Sequence, residues 1–141
     1  NLNNWWPIID SYMAGEGKYF STPATNLVVG LHEMSQQILS EGIYNVYNRH
    51  KQLATYFREE LKNQNFKFLT SDDYFANTMS TPLYLNEAKS NDFRKSILQN
   101  GVLIAGGIQK GYGHKYFRVG HMGNVTKENI DYTLDAIKKA L

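Results

Sequence analysis

The sequence predicts an α+β domain, a small and mainly antiparallel sheet covered by helices. Three observations carry this. Two long stretches of helical apolar spacing fill the first half of the chain. Past about residue 64 the period changes, and short apolar runs bounded by Gly and Pro take over. No internal repeat, low-complexity segment or linker divides the 141 residues, a length that suits one domain with a real core.

Taken in order, residues 1–25 read as an irregular segment, because Gly15, Gly17 and Pro23 break any long pattern. Trp5 and Trp6 so near the start are expected either to fold back onto the domain or to have packed against something outside it. Residues 26–41 read as a helix, with Leu27, Leu31, Met34 and Ile38 at helical spacing. Gly42 supplies its stop. A second helix is expected over 43–63. Its stripe is Ile43, Val46, Tyr47, His50, Ala54, Phe57 and Leu61, and its polar face carries Arg49, Lys51, Arg58, Glu59 and Lys62.

Residues 66–69 read as a short strand and 78–85 as another, with Pro82 favouring an edge or bulge. A helix over 89–99 points Phe93, Ile97 and Leu98 inward. Residues 102–105 form an apolar strand, Gly106 to Gly113 a glycine-rich turn, and 116–119 a further strand. Thr126 is placed to cap a last helix, with Glu128 in its first turn and Lys138 and Lys139 in its last, as the helix dipole prefers. Ile130, Leu134 and Ile137 then face the core. The domain proper is thus expected over 26–141.

Composition narrows the function classes. A hydrophobic content of 42% with 20% charged residues is that of an ordinary globular domain. A net charge of +2 is too small to argue for a nucleic acid or a membrane as partner. The absence of cysteine removes disulfides and thiolate zinc sites. No apolar run approaches the roughly 20 residues of a membrane span. The four histidines, His32, His50, His114 and His121, show no ligand-spaced pair, so no metal is expected. His50, on the apolar stripe, reads as a packed, hydrogen-bonded residue. There is no G-x-S-x-G elbow for a nucleophile.

Three features bear on chemistry. The segment from Ala105 to Gly113, AGGIQKGYG, lets the backbone approach a ligand closely. Its spacing matches neither the dinucleotide nor the P-loop pattern, and a plain turn between strands explains it as well. The stretch from Lys110 to Phe117 partly fits an RNA-recognition signature, but His114 and Lys115 stand where an aromatic and a valine belong. Arg118 sits mid-strand between Phe117 and Val119. A guanidinium there is desolvated unless paired, and its fork suits a carboxylate held bidentate. That carboxylate belongs either to a ligand or to a structural ion pair. His121 lies beside it.

The run from Val102 to Gly123, VLIAGGIQKGYGHKYFRVGHMG, resembles the C-terminal signature of class V, fold-type I aminotransferases that use pyridoxal 5'-phosphate (PLP), those of the alanine–glyoxylate and serine–pyruvate type. Such members show an apolar strand, a Gly-Gly turn, a variable loop and a strand with R-[IV]-G-x-[ML]-G. Here the last is Arg118 to Gly123, followed by the Asn-Val-Thr-x-Glu-Asn start of the final helix. Upstream, Tyr19 to Pro23 resembles the family's Y-x-x-T-P segment. Leu31-His32-Glu33, Glu41-Gly42-Ile43 and Arg49-His50-Lys51 also fit, in order. The wording IAGGI and RVGHMG is most similar to fungal members.

The resemblance implies that Arg118 binds the α-carboxylate of the amino-acid or 2-oxo-acid substrate. It implies that Tyr19 and Thr22 reach the PLP phosphate of the neighbouring subunit in a homodimer, and that Gly106 and Gly107 shape the pocket. It implies an intracellular protein, since peroxisomes, mitochondria and the cytosol all house members. The family's Schiff-base lysine and the aspartate that partners the pyridine nitrogen lie in a large domain whose motifs this chain does not contain. The 141 residues alone are therefore expected to be inactive. The alternatives from other classes are a non-catalytic α+β interaction or dimerisation domain, and an RNA-binding module.

Overall fold

The computed structural model describes residues 1–16 and 22–141. It forms two compact units, residues 1–41 and 42–141.

The first unit holds two helices, α1 (Leu2–Met13) and α2 (Thr25–Glu41). The first departs from the irregular segment expected there. Asn1 caps it by accepting the Asn3 N–H at 3.1 Å, and the helix carries Pro7 in its interior. Gly15, read as a breaker, lies just past its C-terminal end, and twelve residues of helix tolerate the backbone donor that Pro7 removes. Helix α2 falls where its periodicity predicts, yet it buries no residue. Leu27, Leu31 and Leu39 are each about two-thirds or more exposed.

The second unit is the α+β body. The long helix α3 (Ile43–Asn63) begins after Gly42, whose φ of 87° is one that glycine adopts without penalty. Helix α5 (Lys127–Lys139) packs beside it, and helix α4 (Ser90–Gln99) packs against α5. At the start of α5, Thr126 Oγ1 accepts the Asn129 N–H, while Asn129 Oδ1 accepts the Thr126 N–H. This reciprocal capping box satisfies two donors that the helix start would otherwise leave open.

Three short strands, β1 (Met79–Ser80), β2 (Ala105–Gly106) and β3 (Phe117–Gly120), form an antiparallel sheet in the order β1-β3-β2. Met79 pairs with Gly120, and Ala105 with Arg118. The strand expected over 66–69 is reduced to one bridge, Phe68 to Pro82. Side chains alternate across the sheet. Phe117 and Val119 turn under the helices and are buried with Phe57, Leu61, Ile97 and Ile137. Phe66, Tyr84 and Phe93 close on Phe117 with ring centroids 5.2–6.0 Å away, each such pair being worth about 1 kcal/mol beyond its buried area.

The burial pattern corrects several expectations. Arg58 is 6% exposed instead of lying on the polar face of α3. Its Nη1 donates to the Ala76 carbonyl at 2.9 Å and to Ser80 Oγ at 3.3 Å, and the guanidinium stacks 4.5 Å above the Phe75 ring. Burial lowers its pKa below the usual guanidinium value. Leu98, expected inward, is exposed, as are Ile43 and Tyr47 at the start of the α3 stripe. His50 is buried as expected, with Nδ1 2.7 Å from the Val46 carbonyl.

Candidate active site

The sheet has one covered face and one open one. On the open face lie Arg118 and Gly120 of the central strand, Ala105 of β2 and Met79 of β1. Leu103, two residues before Ala105, is 83% exposed. Arg118 is therefore set among apolar and backbone surface.

Its anchoring is specific. Arg118 Nε donates to the Gly106 carbonyl at 2.8 Å. Gly106 belongs to the adjacent strand, so the ladder that pairs Ala105 with Arg118 also sets the guanidinium. With Nε occupied, the two Nη groups remain to grip a carboxylate end-on. Among the described residues no carboxylate pairs with Arg118, so the structural ion pair that would explain this arginine otherwise is not formed.

Of the two glycines expected to shape the pocket, Gly106 faces only the movable end of a side chain, whereas Gly107 faces backbone. A Cβ at Gly106 would lie 2.7 Å from Arg94 Nη1. A Cβ at Gly107 would lie 2.6 Å from the Gly113 carbonyl oxygen and 2.6 Å from the Tyr116 ring. Real Cβ atoms do not approach backbone that closely, so Gly107 has no substitute without moving the loop.

Behind the open face is a polar group the sequence only hinted at. His121 is fully buried, with Nδ1 3.1 Å from the Asn77 carbonyl and Nε2 2.9 Å from Ser80 Oγ. A carbonyl only accepts, so Nδ1 carries the proton and Nε2 accepts from the Ser80 hydroxyl. Ser80 in turn accepts from Arg58. Burial, aided by the nearby Arg58 and His50, pushes the His121 pKa down to about 4. Ser80 and His121 form a serine–imidazole pair, but Ser80 is 1% exposed and out of reach of any substrate. Their effect is to tie β1 to the segment after β3. Arg49 ties that segment to α3, donating to the Gly123 carbonyl at 2.9 Å. Arg58 and Ser80 carry no sequence motif, so only the fold reveals them.

Thr22 lies in the extended residues before α2. It is exposed and makes no hydrogen bond among the described residues. Tyr19, its expected companion, lies outside the described residues. A cleft of about 460 Å³ lined by Tyr84, Asn86, Lys89 and Asp92 includes none of the expected site residues. The RNA-recognition reading fails on geometry: residues 110–115 form a turn, and Phe117 is completely buried instead of exposed for stacking.

The chain is similar to known aminotransferases. The family model for aminotransferase class I and II matches residues 11–137. Alanine–glyoxylate aminotransferase 1 of Saccharomyces cerevisiae is 36% identical over all of this chain, which covers 38% of that protein. Serine–glyoxylate aminotransferase of Hyphomicrobium methylovorum is 30% identical over 89% of the chain and 31% of its own length. A crystal structure of alanine–glyoxylate aminotransferase from Nostoc sp. superimposes with a TM-score of 0.83 at 25% identity, over 95% of this chain and 36% of that one. The ureidoglycine–glyoxylate aminotransferase of Bacillus subtilis, at 21% identity and a TM-score of 0.84, shows the same fold. The chain thus spans little more than a third of the length of these relatives. No helix among the described residues is long and apolar enough to cross a membrane. On the match across nine-tenths of its length and the fold it shares with these enzymes, the chain belongs to the aminotransferase class I and II family, whose members depend on PLP.

Proposed function

We infer that the chain is the C-terminal small domain of a longer, PLP-dependent aminotransferase of the alanine–glyoxylate type. In that enzyme it supplies the arginine that binds the substrate carboxylate. The observation that carries this reading is Arg118: mid-sheet, on the open face, its Nε taken by Gly106 and its Nη groups without a carboxylate partner among the described residues. The reaction is transfer of an amino group from alanine or serine to glyoxylate or pyruvate, in keeping with the names of the similar proteins. A carboxylate is common to all four, so one bidentate arginine serves donor and acceptor alike.

PLP, when bound, supplies the electron sink for this chemistry. Thr22 and Tyr19 are assigned to its phosphate, across the interface of a homodimer. The Gly106–Gly107 backbone borders the carboxylate site and holds Arg118 in line. Stabilising the carboxylate against a preset guanidinium orients the α-carbon without reorganising the protein at each turnover. The second reading, a domain for interaction or dimerisation alone, is favoured by α2, which buries none of its apolar residues.

Arg118→Ala in the longer protein tests the assignment. The KM for the amino donor should rise and kcat/KM should fall roughly a hundredfold, about 2.7 kcal/mol. The absorbance of bound cofactor should stay unchanged. An unaltered KM would make Arg118 a structural residue.

A further inference from the structure

The glycine loop overhangs one end of the open face, and the Tyr116 side chain anchors it there. Tyr116 precedes Arg118 by two residues, so both project from the same side of the strand. Arg118 is half-exposed, whereas Tyr116 is 4% exposed because the loop folds across it. The Tyr116 phenolic oxygen accepts the backbone N–H of Ile108 at 3.2 Å and of Gln109 at 3.3 Å. The Tyr116 carbonyl accepts the N–H of Gly107 at 3.1 Å. Three successive amides thus converge on one residue, and its ring fills the space that a side chain at Gly107 would need.

Residues two apart on a strand face stand about 7 Å from each other, within the span of a bound amino acid. An amino acid gripped by its carboxylate at Arg118 therefore has this loop as its neighbour. We propose that Tyr116 is a positioning residue whose hydroxyl fixes the glycine loop as a wall beside Arg118, and that this wall limits the size of the amino-acid side chain accepted. The inference rests on the reading of Arg118 as the carboxylate ligand. It adds a determinant of selectivity that does not itself touch the carboxylate. A latched wall discriminates by size because its amides are already satisfied and do not yield to an extra methylene; one such group in a fitted pocket changes kcat/KM by roughly 10- to 200-fold.

Tyr116→Phe in the longer protein keeps the ring and deletes only the acceptor. Two quantities are read. Hydrogen exchange at the Ile108 and Gln109 amides should quicken about tenfold while Phe57 and Val119 keep their protection, showing an unlatched loop in an intact fold. The ratio of kcat/KM for alanine to that for leucine should fall about tenfold. Exchange at Ile108 and Gln109 equal to that of the unaltered protein overturns the latch. Faster exchange with an unchanged alanine-to-leucine ratio overturns the role in selectivity. Arg118→Ala run in parallel separates the two levels. If that variant keeps its KM, the carboxylate reading falls and this one with it. If its KM rises while Tyr116→Phe leaves the ratio alone, only the loop inference falls.

Discussion

His121 shows how one buried side chain makes this fold sensitive to acid. In the folded chain it is neutral, donating from Nδ1 to Asn77 and accepting at Nε2 from Ser80. Protonation would place a second donor against Ser80, a charge beside the Arg58 guanidinium and a cation in the core. Its pKa of about 4 lies below the 6.5 of an exposed imidazole. Between those values the unfolded chain binds a proton that the folded chain refuses, so stability rises with pH. This contribution is complete above pH 6.5, declines as pH falls toward 4 and then levels off. The total loss is about 3 kcal/mol. Urea denaturation of His121→Gln should show a flatter dependence on pH between 4 and 6.5 than the unaltered chain. Parallel curves for the two would place the acid sensitivity elsewhere.

At the scale of elements, the cap of α5 gives a sharper test of what local sequence contributes. Thr126→Ala removes the side-chain half of the capping box and should cost about 1 kcal/mol, read as a lowered denaturation midpoint at constant slope. That cap was legible because its signal is local: a threonine, an acidic residue in the first turn and an amphipathic run behind them. Helices α2 and α3 were legible for the same reason. The misreadings have physical causes too. The breakers that made residues 1–25 read as irregular, Gly15, Gly17 and Pro23, all lie after α1 and say nothing of the twelve residues before them. Arg58 has the spacing of a surface residue; that its guanidinium is buried depends on Ala76, Phe75 and Ser80 arriving from later in the chain. The place of Arg118 was readable from its strand and the turn before it. Its tether to Gly106 was not, because that bond depends on strand register, and a shift of one residue would have put the arginine on the other face.

For the whole molecule, the chain carries one half of an expected site. On the proposed reading Arg118 would meet a carboxylate and Thr22 would offer a hydroxyl, but none of the eleven lysines stands in the sequence context that the resemblance assigns to cofactor attachment. The purified 141-residue chain should therefore show no alanine-to-glyoxylate transfer above background when PLP is supplied. Measurable turnover would refute the division of labour between this domain and the rest of the enzyme.

The strand order adds a consequence for how the chain acquires its shape during synthesis. β3 is the last strand to leave the ribosome, yet it is the central one, and β1 and β2 share no hydrogen bonds with each other. The β2–β3 hairpin closes over a short loop, whereas β1 waits some forty residues for its partner, a costlier closure. Until residue 120 has emerged, the apolar undersides of α3 and α4 have no sheet to cover. A nascent chain arrested before Phe117 would be mostly helical, with those surfaces bare and prone to self-association. One completed only a few residues further would hold all three strands.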